Sequence, residues 1–134
     1  YRGGVSFARS FGPGRTISEP GTFFEMTADA LTLSRFNWNL LLYSQNRVGY
    51  TLPPVGPLHW QAVWNLNLTT DSKREAWANF FDTGPGLRFR LRGMPQGMLW
   101  SLDLVRGHYL IREGNPRSPI YADLRAGVWY AFTR

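Results

Sequence analysis

Residues 58–69 read LHWQAVWNLNLT and alternate without a break. Leu58, Trp60, Ala62, Trp64, Leu66 and Leu68 stand against His59, Gln61, Val63, Asn65, Asn67 and Thr69. Side chains on a strand point to opposite faces in turn, so this segment has one apolar face and one nearly all-polar face. It is longer than the usual soluble strand of about five or six residues. It suits a tilted strand crossing about 30 Å of hydrocarbon, which needs roughly nine to eleven residues. An apolar face carrying tryptophans and an opposite face of hydrogen-bonding groups is the pattern of a membrane β-barrel strand.

The rest of the chain repeats the pattern. Gly3–Phe11 alternates weakly and leads into a Gly/Pro-rich loop, 12–21. Thr22–Leu33 is mixed, and Arg35–Tyr43 alternates well, with Phe36, Trp38, Leu40 and Leu42 on one side. Arg47–Leu52 continues that strand past a bulge or begins the next, and Pro53, Pro54 and Pro57 then read as a firm break. Within 71–82, Ser72 and Glu75 would fit a helix capping box, but the neighbouring strands favour a polar loop followed by a strand. Leu87–Arg92, Met98–Val105 and Tyr121–Phe132 alternate, separated by turns at 93–97 and 113–119. The 134 residues suit a single domain, 1–134. The longest uncharged apolar run is Val128–Phe132, far short of the roughly 18 residues a membrane helix requires. The expected fold is all-β: an antiparallel transmembrane β-barrel of about eight strands, or the C-terminal part of a larger barrel. The first residue is Tyr1 and no signal peptide is visible, so a processed protein or a fragment is expected.

The formal charge is +6, and Lys73 is the only lysine among 15 basic residues. Arginine grips planar anions with a fixed fork of donors, which suits an anion-facing surface, although internal ion pairs would use it equally. Arg88, Arg90 and Arg92 share one strand face, opposite Leu87, Phe89 and Leu91. Three like charges on one face need water or carboxylates nearby. A hairpin turn at 93–97 would place Asp103 roughly opposite Leu87–Arg88, and the last strand adds Asp123 and Arg125. Arg88, Arg90, Arg92 and Arg125, paired by Asp103 and Asp123, are therefore the expected lumen-facing residues. They would form a basic constriction for an anionic solute, or an ion-pair network filling a narrow barrel.

Aromatic rings prefer the headgroup region, so Trp38, Trp60, Trp64, Trp100, Tyr130 and Phe132 are expected at the membrane interfaces. The same rings could form a carbohydrate-stacking platform, because sugars present apolar faces. Catalytic signals are poor. His59 and His108 are the only histidines and neither lies in a catalytic motif. The chain has no cysteine, so it has no disulfide framework or thiolate metal site. No phosphate-cradling loop is recognisable, and neither a metal, a cofactor nor a nucleic-acid partner is expected.

The run Val128–Phe132 resembles the last strand of bacterial outer-membrane proteins, whose aromatic-ended signal is read by the barrel-insertion machinery. Thr133 and Arg134 behind it depart from the usual aromatic terminus. GPGLRFRLRG (84–93), LVRGHYL (104–110) and YADLRAGVWYAF (121–132) are similar to the C-terminal barrel region of large envelope proteins. Those carry periplasmic tetratricopeptide repeats ahead of the barrel and serve exopolysaccharide export or phage adsorption. The resemblance implies a non-enzymatic outer-membrane protein: an anchor, or a conduit or recognition surface for a polar, anionic polymer. The rival expectation is a soluble β-sandwich or jelly roll that binds carbohydrate or self-assembles through aromatic strands. A third is an outer-membrane lipid hydrolase using His59 or His108.

Overall fold

The computed structural model describes residues 2–34, 37–95, 97–111 and 118–130. Seven antiparallel strands form one sheet in simple chain order: β1 (Arg2–Phe11), β2 (Gly21–Leu33), β3 (Asn39–Val55), β4 (Leu58–Asp71), β5 (Phe80–Leu91), β6 (Met98–Tyr109) and β7 (Ile120–Tyr130). Single 3-10 turns stand at Pro13–Arg15 and Ala76–Ala78. None of the helical turns could cross a membrane. The fold is thus all-β, with seven strands rather than about eight and no pairing of β1 with β7 among the described residues.

The connections after β1, β3 and β5 lie at one end of the sheet, the lower end; those after β2, β4 and β6 lie at the upper end. Several expected boundaries move. Arg47–Leu52 is one strand with residues 39–46, and Pro53 and Pro54 belong to its end. The register shift between Leu52 and Val55 absorbs the two prolines, since a bulge removes the need for their missing N–H groups. Only Gly56 and Pro57 make the turn, with Gly56 at a φ of 57°. Trp77 lies in the 3-10 turn and not on a strand, and the glycines of GPG at 84–86 lie inside β5. Trp38 also falls in a turn. Phe36 and most of 113–119 lie outside the described residues.

The sheet curls tightly enough that β2 and β5, three strands apart, meet side chain to side chain: the Arg88 guanidinium bonds both Glu25 carboxylate oxygens, at 2.6 and 3.0 Å. Burial within this curl is inverted. Buried residues include Gln61, Asn65, Asn67, Asp82 and Arg88, whereas Trp64, Leu66, Leu68, Leu102, Leu104 and Leu124 stand exposed. On β4 the alternation of 58–69 is read out directly: Gln61, Val63, Asn65, Asn67 and Thr69 point in, and Ala62, Trp64, Leu66 and Leu68 point out.

Candidate functional site: the polar interior

The inner faces of β4, β5 and β6 fit together because glycines alternate with long polar side chains. Asn65 and Gly84 pair across β4 and β5, and Gly86 pairs with Asp103 across β5 and β6. A Cβ at Gly86 would collide with the Asp103 carboxylate. Its absence lets Asp103 reach over β5 to accept a 2.8 Å bond from Asn65 Nδ2. Asn65 Oδ1 in turn accepts from Arg47 Nε at 2.8 Å, so β3, β4 and β6 are tied through one side chain.

Asp82 is the second hub. It is 0% exposed and accepts from Asn67 Nδ2 at 2.6 Å, Tyr121 OH at 2.9 Å and Arg125 Nη2 at 2.7 Å. Gly107 separates Asp82 from Tyr121 in the register, and only a glycine there leaves room for the tyrosine ring to lie across β6. Above Asp82, Phe80 meets Tyr109 and Tyr121 edge to face and the two tyrosines tilt against each other, with centroids 5.2–6.4 Å apart.

Lower down, Arg88 pairs with Glu25, and Arg47 approaches the same carboxylate at 3.9 Å. Beneath them the 12–20 loop folds inward. The Gly14 carbonyl accepts from Thr51 Oγ1 at 2.6 Å and Gln61 Nε2 at 3.1 Å. Beside this network a cavity of about 460 Å³ remains, lined by Glu25, Thr27, Asp29, Tyr43, Arg47 and Trp129 among others.

The expected lumen residues are therefore only partly brought together. Arg88 and Arg125 are on the inner face with acidic partners. Arg90 shares that face and donates to Ser18 Oγ at 3.1 Å, while Arg92 lies past the end of β5, exposed in the turn. Asp123 pairs with Arg125 at 3.3 Å, but the main partner of Arg125 is Asp82. Asp103 lies opposite Gly86, one residue before the expected Leu87–Arg88, and holds Asn65 instead. Glu25, Asp82 and Arg47 are the members of the interior network that strand-by-strand reading misses. Glu25 meets Arg88 only through curling, which no local pattern records.

Outward aromatics crowd the lower end. Phe11 stacks on Phe24 and Phe89 on Trp100, each at 6.3 Å, and Tyr50, Trp60 and Tyr130 occupy similar levels on β3, β4 and β7. Trp64, expected at an interface, sits mid-strand, and its indole N–H donates to Thr83 Oγ1 at 2.8 Å. Trp38 is at the upper end; Phe132 lies outside the described residues. His59 is on the inner face near the lower end, whereas His108 is on the outer face near the upper end, so the two cannot share a site. No cluster of three metal-ligating side chains occurs among the described residues.

No family model matches the chain, and no curated protein or solved structure shows significant similarity to it.

Proposed function

We propose that this chain forms the wall of a bacterial outer-membrane β-barrel that serves as an anchor, its outer face in lipid and its polar interior packed. The inverted burial carries this reading: a buried Gln61–Asn65–Asn67–Asp82–Arg88 interior beneath an exposed row of Trp64, Leu66, Leu68, Leu102, Leu104 and Leu124. Soluble proteins rarely expose apolar patches beyond a few hundred Å². Transfer of such side chains into hydrocarbon would recover of order 1 kcal/mol for each half-exposed one. The lower aromatic belt supports the same reading, because rings gather at the headgroup level. A soluble sandwich would need a second sheet over the apolar face, and the described residues make one sheet.

Closure belongs to the proposal. In a seven-strand meander β1 and β7 run in the same direction. Direct pairing of their free edges would be parallel, whereas one further strand running opposite to both would give antiparallel ladders and an even count. Lipid cannot satisfy free edge groups, so such closure is required in a bilayer.

An anchor is favoured over a conduit by the Arg88–Glu25 pair, which reaches from β5 to β2 across the interior, and by the Gly14 loop turned inward near the lower end. The test is to purify the chain with and without detergent, compare gel migration before and after heating, and record currents in planar bilayers. Detergent dependence, heat-modifiable migration and no steady current are expected. Solubility without detergent would refute the membrane reading. A steady current that changes in Arg88→Ala would restore the conduit. Partners under this proposal are outer-membrane lipid and the insertion machinery that reads the last strand.

A further inference from the structure

The lower end of the interior holds two cations that the packed network leaves unmatched. The 12–20 loop is drawn inside by the bonds from Thr51 and Gln61 to the Gly14 carbonyl. Gly14 is buried so close to Gly21 that a Cβ there would collide with the Gly21 carbonyl. Arg15 follows directly and ends the 3-10 turn, so the inward path of the loop fixes where its side chain starts. Across from the loop, β5 presents Arg88 and Arg90 on its inner face, and Arg90 donates to Ser18 Oγ of the loop at 3.1 Å. Between loop and strand lies a cavity of about 190 Å³, lined by Arg15, Ile17, Glu25, Arg88, Arg90 and Leu99 among others.

Charge in this lining is uneven. Its acid among the described residues is Glu25, and the Arg88 guanidinium takes both Glu25 oxygens, at 3.0 and 2.6 Å. That pair is neutral as a whole. Arg15 and Arg90 have no carboxylate within salt-bridge distance among the described residues, and Glu19, the acid of the loop, is not part of the lining. Three arginines less one glutamate leave an excess of two positive charges around the cavity. Like charges facing one small space repel unless water or an anion comes between them.

Size and charge narrow the occupant. Pockets for drug-sized ligands run from about 300 to 1,000 Å³, so this smaller one suits a single compact group rather than a polymer segment. A phosphate monoester carries about −1.5 to −2 at neutral pH and several acceptor oxygens, which matches two uncompensated guanidinium forks. A carboxylate supplies only half that charge.

We propose that this cavity is a phosphate-binding site, in which Arg15 and Arg90 grip one dianionic group beside the neutral Arg88–Glu25 pair. Phosphate there bridges the 12–20 loop to β5 and holds the loop in place. The proposal needs the curl of the sheet and the inward loop; it does not depend on lipid outside. A soluble phosphate and the phosphate of a lipid headgroup share this chemistry, and the inner-face position favours the soluble source.

Inorganic phosphate would be titrated calorimetrically into the folded chain in an uncharged detergent near neutral pH, at low and high sodium chloride. A second arm uses mixed micelles with and without phosphatidylglycerol. Expected is saturable, salt-sensitive binding of phosphate that falls about tenfold or more in Arg15→Gln and in Arg90→Gln, each of which removes a charge-assisted contact. Arg74→Gln, at the upper end, removes the same charge and should bind as the parent does. Binding of phosphatidylglycerol alone, with the same dependence on Arg15 and Arg90, supports the site and assigns it to a lipid headgroup. No saturable binding of either probe, unchanged binding in both variants, or an equal loss in Arg74→Gln overturns the site. Arg15 is exposed in the loop, so Arg15→Gln leaves the packed network intact, and an unchanged circular dichroism spectrum separates a lost contact from misfolding. Heat-modifiable migration, recorded on the same samples, reports separately on the barrel.

Discussion

Asp82 is where the interior is most vulnerable. Its carboxylate gathers Asn67, Tyr121 and Arg125 with no access to water. Asp82→Ala would strand three donors at once. Removing one partner of a buried charge pair costs roughly 3–5 kcal/mol, and the part-exposed Arg125 brings the expected loss to about 2–3 kcal/mol. Urea titration in detergent measures it; a loss within about 0.5 kcal/mol, the usual range for a surface substitution, would remove Asp82 from the centre of the network. Gly107→Ala approaches the same hub differently. Its new Cβ would collide with the Tyr121 ring and lift the phenol from Asp82, costing about 1–3 kcal/mol as overpacking does. Adding Tyr121→Phe to Gly107→Ala should then cost less than Tyr121→Phe does alone. Full additivity of the two changes would show that the glycine is not there for the ring.

At the scale of elements, β4 joins the polar interior to the upper loops. Its outward face is apolar through Leu68 and turns polar at Thr70, so Asp71 lies above the apolar band. Burial alone would raise the Asp71 carboxyl, but donors from Asn39, Asn79 and the Glu75 N–H outweigh it and hold it below the usual carboxylate range. A carboxyl depressed by folding stabilises the fold above its unfolded pKa of about 3.9 and loses that contribution as pH falls through the folded value. Acidification below about pH 4 should therefore loosen the tie between the 34–38 and 72–79 loops, seen as faster amide exchange at Glu75. In Asp71→Asn that acid sensitivity should vanish; if it persists, another group controls the loops.

These elements also show what could be read in advance. The two-faced alternation of 58–69, 98–105 and 121–132 gives strand existence and facing, because a period of two survives whatever the neighbours are. The ends of strands were less legible. Pro53 and Pro54 suggest a stop, yet a bulge accommodates them. Trp38 sits inside the apparent alternation of 35–43, and only its backbone conformation, which no residue pattern signals, puts it in a turn. The Arg88, Arg90, Arg92 ladder identified a charged inner face, but its acidic counterpart Glu25 is 63 residues away in sequence and depends on sheet curvature. The interior arginines were visible; their partners were not.

For the whole molecule, the central claim is that one face of a curled seven-strand sheet meets lipid and the other meets its own polar groups. A single geometric fact supports it: polarity alternates residue by residue along β4, with the buried side being the polar one. The absence of native cysteine makes the claim directly measurable, since each introduced thiol is the only one present. Spin labels placed singly at 62–69 in reconstituted bilayers can be tested for collision with dissolved oxygen, which enters lipid, and with a water-soluble nickel chelate. The account predicts oxygen accessibility peaking at 62, 64, 66 and 68, with minima at 63, 65, 67 and 69 and no nickel access at the outward positions. Nickel access at Trp64, Leu66 and Leu68 positions, or a profile with no period of two, would contradict it.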